Sequence, residues 1–435
     1  MDAINTGNTA WVLICAALVF FMTPGLAFFY AGMVRRKNAL STIMQSFFVV
    51  GLIGIEWLVI GYSLVFGGDV AGIIGDLSKI GLTGILGHII HPDIPEMSFV
   101  VFQCMFAIIT PALISGAVVG RIRFGAYVIF SLLWSTIVYN SMAHMVWGGG
   151  LLAQLGAIDF AGGFSIEILS GVSALTLCLL LGRRKGYSRS PMLPHHMPMV
   201  VMGAAILWFG WFGFNAGSAF GANELAAVTL LNTQAAGAMG LFGWSIIEWL
   251  HHGKPTVLGA ASGAVSGLVA ITPACGFVKP MASILIGLVA AAICYCAVAV
   301  VKAKLGYDDS LDVFGIHGVG GTWGVIATGL FATVNVNPDG GDGLFYGNAS
   351  LLGVEILSII LTYALAIIGT FVIYKAISLF MDMRVTAEEE SMGLDLSEHG
   401  ESAYNQSAFK GGAFASDASA KPASLSDVIA SFNQD

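Results

Sequence analysis

Ionisable side chains stand out inside otherwise apolar stretches of this chain, among them Glu56, Glu167, Glu248 and His317. A charge at the centre of a membrane helix costs roughly 2.5–3.5 kcal/mol on insertion scales, so such residues by default face a bundle interior. A carboxyl and an imidazole in one dry interior could share a proton and pass it on. Burial raises a carboxyl pKa and a cationic neighbour lowers it, so any such pair would titrate as a unit. The competing role for Glu167 is hydrogen bonding to backbone near a helix start. Glu56 fits a functional and a structural role equally well. Glu248, in IIEWLHHGKP, lies near a helix end and reads as structural.

Aromatic residues supply a second chemistry. Phe102 and Phe106 share a helix face, and Trp147 precedes Gly148, Gly149 and Gly150. The stretch LWFGWFGFNAGSAFG carries Trp208, Trp211, Phe212, Phe214 and Ser218. Ordinary packing or an interfacial belt accounts for any one of them alone. Together they could form a cation site, because an aromatic face offers up to ~2 kcal/mol to a desolvated cation. A hydroxyl such as that of Ser218 can accept a hydrogen bond from the same ligand.

The elements that must position these groups are membrane helices. Hydrophobic residues make up 57% of 435 positions and charged ones 10%, where an ordinary soluble domain carries about 25% charged residues. Apolar runs fall near 10–33, 39–67, 97–120, 124–147, 164–182, 197–217, 227–250, 257–274, 280–301, 312–333 and 350–380. Each meets or approaches the ~20 residues a spanning helix needs. Strand-type alternation is missing, which argues against a barrel. The expected fold is an all-α membrane protein of eleven transmembrane helices. An odd number suggests two inverted five-helix repeats plus a final helix, with a site where the repeats meet. One ionisable residue enters each half's fifth span: Glu167 after Asp159, and His317 after Asp312.

Lys and Arg distribution sets the expected orientation. Loops after spans 1, 3, 5, 7 and 9 hold twelve of them, and loops on the other side hold only Lys79 and Lys279. The amino terminus is thus expected outside and the carboxyl terminus in the cytoplasm of a cell membrane. The net charge of −8 says little about partners, since the basic residues are already assigned to topology. Residues 1–9 lack a basic leader region, so no cleaved signal peptide is expected. The six cysteines, at 15, 104, 178, 275, 294 and 296, show no zinc spacing and read as packing residues. Gly259, Gly263 and Gly267 line one helix face and permit close helix contact.

These segments resemble a known family. TPGLAFFYAGMVRRKN, FQCMFA, AHMVWGGG, DFAGG, GWFGFNAGSA, GAASGAVSGLVAITPACG, DVFGIHGVGG and MGLDLSEHGESAYN occur in the order and spacing of the Amt/Mep/Rh ammonium transporters, on the Amt/Mep branch, over about residues 8–405. The resemblance implies that Trp147, Phe106 and Ser218 form an outer recruitment site for ammonium. Phe106 and Phe214 would stack as a gate below it. Asp159 matches the family's essential acid, whose plainer role is capping a helix. His317 matches the second of two pore histidines. Glu167 departs from the pattern, since most relatives have histidine there and a subset of fungal relatives has glutamate. Hydropathy alone puts Glu167 near the outer end of span 5 and His317 near the inner end of span 10; the family fold implies that they meet mid-pore. The resemblance also implies a homotrimer with one pore per subunit, and no cofactor or metal.

The expected organisation is a transporter domain over 1–383, a regulatory region over 384–405 and a flexible tail over 406–435. In relatives the region matching Gly393, Asp395, His399 and Gly400 packs under the pores, and some are blocked there by PII-type signalling proteins. Leu425, Val428, Ile429 and Phe432 form one helical stripe after the plausible cap Ser424, fitting a short amphipathic helix. Expected partners are ammonium or ammonia, membrane lipid, other copies of the chain and a PII-type protein; nothing points to nucleic acid. A sensor that binds ammonium with little flux is the alternative function. An enzymatic role finds no nucleophile motif such as G-x-S-x-G.

Overall fold

The structure, a computed structural model, describes residues 4–90, 93–189 and 192–404. The stripe from Leu425 to Phe432 lies outside the described residues. In hydrocarbon every backbone group must be satisfied within its own segment, which makes helices the available spanning element. Among the described residues, nine helices are long and apolar enough to cross a membrane. We number the spanning elements in chain order: α1 (Thr6–Met33), α2 (Arg36–Phe66), α3 (Glu96–Val118), α4 (Phe124–Leu155), α5 (Gly163–Leu181), α6 (Met197–Gly217) and α7 (Glu224–His252). The shorter α8 (Val257–Ile271) follows, then α9 (Pro280–Leu305). A broken element α10 joins Phe314–Gly318 to Val319–Phe331, and α11 (Ala349–Ser378) closes the series.

These match the eleven expected spans, with two instructive differences. The eighth ends at Ile271, three residues early, because Pro273 cannot continue it. The tenth is short and broken because it starts deep, inside protein. Nearly every residue of α8 is buried, so its length need not match a bilayer.

The halves interlock through α1 and α6, the first helix of each. Glycines set that contact. A Cβ on Gly203 would lie 2.3 Å from the backbone nitrogen of Phe29, and one on Gly25 would lie 2.5 Å from the Ile206 side chain. The glycine face of α8 works in the same way against α7: a Cβ on Gly267 would lie 2.1 Å from the Ala236 carbonyl oxygen. Lipid gives no hydrophobic drive between helices, so such close backbone approach supplies the packing attraction.

The two fifth elements share one construction. Each opens with a π turn, Gly163–Ile168 or Phe314–Gly318, and continues as a helix of 13 residues. The preceding turn holds a left-handed residue in each case, Gly162 at φ 126° and Asp312 at φ 62°. Each turn is capped from five residues before its phenylalanine: Phe164 donates to Asp159, and Phe314 donates to Asp309, both at 2.8 Å. The counterpart of Asp159 is therefore Asp309. The expected counterpart, Asp312, instead occupies the left-handed position and pairs with Lys302 at 2.6 Å. Charge and proximity to the apolar run drew attention to Asp312; the cap geometry selects the acid three residues earlier.

Candidate functional site

The crossing of α5 and α10 fixes the first pair. Gly171 of α5 abuts the peptide after His317: a Cβ there would sit 2.1 Å from the Gly318 nitrogen. Gly321 of α10 abuts Glu167 reciprocally, at 2.8 Å from its Cβ. With no side chain at either crossing point, the two helix starts touch. The His317 Nδ1 and Glu167 Oε2 atoms lie 2.6 Å apart and share one proton, carried by the imidazole or by the carboxyl. Both residues are buried. Sequence places them 150 residues apart, and hydropathy puts them at opposite ends of their spans.

Above the pair the path is shut by rings. Phe106 and Phe214 lie 4.3 Å apart between centroids, tilted by 36°. Trp147 stands edge-on to Phe106 at 6.2 Å, and Trp211 lies 5.6 Å from Phe214. Below the rings, Met22, Leu26, Phe29, Ile109, Leu113, Leu207 and Val265 wall a narrow cavity with Glu167 and His317. Its volume is about 10 Å³, near the least that holds one water. Above the rings a vestibule of about 240 Å³ is lined by Phe66, Phe99, Gln103, Phe106, Trp147, Asp159, Phe160, Ser218, Phe220 and Phe277. The structure thus brings Trp147, Phe106, Ser218 and Asp159 to one chamber, with Phe214 below it.

Polar groups around the chamber are specifically engaged. The Trp147 indole N–H donates to the Asp159 carbonyl at 3.0 Å, so its ring face is oriented by the loop it covers. The Ser218 hydroxyl donates to the Phe214 carbonyl at 3.0 Å and keeps its lone pairs for another donor. Both Asp159 carboxylate oxygens accept backbone N–H groups, from Gly162, Gly163 and Phe164 at 2.7–2.8 Å. The capping role weighed for Asp159 is therefore present in the geometry, and the residue also lines the vestibule.

Two residues of this neighbourhood escaped the sequence reading. Glu355 of α11 is fully buried and accepts from the Ile158 N–H at 3.0 Å, next to Asp159. His144 of α4 is fully buried three residues before Trp147; its ring nitrogens reach the Val65 carbonyl at 2.7 Å and Asp69 at 2.8 Å. Both are ionisable residues inside apolar runs, the same signal that singled out Glu167. Of the other candidates, Glu56 accepts from Asn140 at 2.9 Å and Thr136 at 3.1 Å, away from the pore. Glu248 holds the Thr256 N–H and hydroxyl at the start of α8. Five cysteines are buried and Cys296 is exposed, and all six are free.

The face carrying the Arg- and Lys-rich loops is covered by two short helices, α12 (Ala387–Met392) and α13 (Leu394–His399). Gly393, between them, has φ 109° and presses on Lys37, where a Cβ would approach to 2.6 Å. The Leu394 N–H donates to Asn38 at 2.9 Å, and the Ser41 N–H donates to Asp395 at 2.8 Å. Burial pushes the Asp395 carboxyl up, with the Ser41 bond pulling the other way. His399 packs edge-on to Phe124 at 5.0 Å, and Gly400 ends α13 in the left-handed region.

Residues 10–404 match the Ammonium Transporter Family. The chain belongs to that family. It is 52% identical over 400 residues to an ammonium transporter of Bacillus subtilis, covering 92% of this chain and 98% of that one. The solved structure of Candida albicans Mep2 superposes with a TM-score of 0.85 at 34% identity, covering 92% of this chain and 91% of that one. Saccharomyces cerevisiae Mep2 gives a TM-score of 0.83 at 35% identity over 89% of each. This transporter therefore has the ammonium transporter fold, is a multi-pass membrane protein, and has ammonium as its substrate. The sensor alternative is not favoured by these likenesses.

Proposed function

We propose that the transporter recruits ammonium in the vestibule, removes a proton at the gate and passes ammonia through the narrow apolar pore. Trp147, Phe106, Ser218 and Asp159 take the cation. Phe106 and Phe214 form the gate. Glu167 and His317 accept and relay the proton. The observation that carries this reading is the 2.6 Å contact between Glu167 and His317 directly beneath a closed aromatic pair.

The physical problem is desolvation. An ammonium ion in a pore walled by Met, Leu, Ile and Val loses its hydration and gains little in return. Losing one N–H proton removes the charge and with it that cost. Potassium, of similar size, has no proton to lose and stays excluded. Glutamate in place of the first pore histidine gives a pair that can hold net negative charge, which favours cation approach and charge movement.

The Arg- and Lys-rich loops support a cytoplasmic position for that face, in a cell membrane, with the vestibule outside. The family resemblance further implies a homotrimer, each subunit with its own pore. Gly393 and Asp395 hold the regulatory segment against Lys37 and Ser41, His399 packs on Phe124 and Gly400 ends the segment's last helix, on the face where a PII-type protein would reach it. The segment after Asn405 is then a separable tail, whose deletion preserves basal transport.

The gate is tested by uptake of labelled methylammonium in cells lacking other ammonium transporters. Phe106→Leu and Phe214→Leu nearly conserve volume, so folding is retained, while flux or discrimination against potassium changes. Wild-type uptake and wild-type discrimination in both variants would remove the gate assignment. Ammonium binding without uptake in the unaltered protein would return the sensor reading.

A further inference from the structure

The vestibule is far larger than the ion it recruits. It holds about 240 Å³, where a water molecule, with one heavy atom like ammonium, needs about 10–15 Å³ on the same scale. Below the gate the cavity is about 10 Å³. A chamber built only for ammonium would not need the excess above or so sharp a step in size.

The excess is aromatic. Phe99, Phe106, Trp147, Phe160, Phe220 and Phe277 all line it. They come as tilted or edge-on contact pairs: Phe99 with Phe220 at 5.2 Å, Phe160 with Phe277 at 5.4 Å, and Phe106 with Trp147 at 6.2 Å. All six rings border the one chamber, and in each pair the rings are held at an angle to one another. Gln103 and Asp159, both buried, line the same space.

We infer that this vestibule is an aromatic cage that binds methylated quaternary ammonium cations, which stop at the gate and compete with ammonium from its own side. The inference rests on the reading of the vestibule as the ammonium recruitment site. A quaternary cation has no N–H group, so it gives up weaker hydration than ammonium does. Its charge is spread over methyl groups that aromatic faces recognise. It fills the volume that ammonium leaves empty. It has no proton to lose, and it exceeds the cavity beneath the rings. The same chamber therefore separates binding from passage: chemistry admits both cations, and deprotonation together with size admits one.

Tetramethylammonium is the probe. In the full-length protein, it should raise the apparent KM for methylammonium uptake and leave the maximal rate unchanged, while labelled tetramethylammonium itself does not accumulate. Phe99→Leu with Phe277→Leu should weaken that inhibition about tenfold relative to the change in methylammonium KM, since both rings lie outside the Trp147–Phe106–Ser218 group. Accumulation of tetramethylammonium, inhibition of the maximal rate alone, or no inhibition while uptake still depends on Trp147 would each overturn the inference. Equal uptake in Trp147→Leu and the unaltered protein would instead remove the recruitment reading, whatever tetramethylammonium does.

Discussion

The segments 159–181 and 309–331 are two copies of one device with different contents. Both begin with an aspartate that caps a π turn, both pass through a left-handed residue, and both end in 13 helical residues. At the eighth position after the aspartate one carries a carboxyl and the other an imidazole. The shared part builds two helix starts deep in the protein; the differing part is what meets in the pore. Framework and chemistry are thus separable here. The framework tolerates either titratable group because neither helps to hold the turn.

The surroundings of the two caps also differ. Asp159 satisfies both carboxylate oxygens with backbone N–H groups and lines the vestibule. Asp309 sits among charges: Arg184 grips neighbouring Asp308 at 2.6 Å, and Lys302 pairs with Asp312 at 2.6 Å. On the proposed function the first cap works for substrate as well as structure, and the second, away from the vestibule lining, for structure. Asp159→Ala should therefore abolish methylammonium uptake, more than 100-fold, and also lower thermal stability. Its lost charge-assisted bonds are each worth about 1.5–3 kcal/mol. Asp309→Ala should cost stability of similar order but leave uptake within about tenfold per folded protein. Equal loss of uptake in both would break the comparison.

The reciprocal glycines sharpen it. Gly171→Ala places a Cβ against the Gly318 backbone, which cannot yield, and should destabilise by about 1–3 kcal/mol in thermal unfolding. Gly321→Ala meets the Glu167 side chain instead. The atom met is the Glu167 Cβ, at 2.8 Å, a milder overlap than the 2.1 Å at Gly171, so a smaller stability loss should come with a displaced Glu167 and an altered pH profile of uptake. An unchanged profile would mean that the placement of Glu167 does not matter to proton handling.

The smallest effect concerns Asp308. Burial pulls its carboxyl up, but the Arg184 guanidinium and N–H bonds more than offset this and hold it below the usual carboxylate range. A depressed folded-state pKa gives stability that is present above the unfolded value of about 3.9 and lost as pH falls through the folded value. Thermal unfolding from pH 6 to pH 3 should therefore fall less steeply in Asp308→Asn than in the unaltered protein. Parallel curves would contradict this.

Much of the molecule was legible in the sequence, for reasons that also mark the limit. The spans were readable because lipid demands long apolar helices, and the vestibule residues because the motifs carrying Trp147, Phe214 and Ser218 are continuous. The meeting of Glu167 with His317 was not readable from hydropathy, since α10 starts inside protein and a bilayer scale misplaces its beginning. Asp309 was passed over for Asp312 because capping depends on φ and register, which composition does not encode. Glu355 and His144 carried a readable signal, an ionisable residue in an apolar run, and went unweighed beside Glu167. Close crossings at Gly171 and Gly321 follow from backbone approach between distant segments, which no local pattern announces.

The central claim is that position 167 handles protons together with His317. The direct measurement is uptake current against pH, per folded protein, for the unaltered protein, Glu167→Gln and Glu167→His. Glutamine keeps the shape and removes titration, so it should lose most of the current at every pH while still binding ammonium in the vestibule. Histidine should restore transport with a displaced pH profile. Three superimposable profiles would contradict the account.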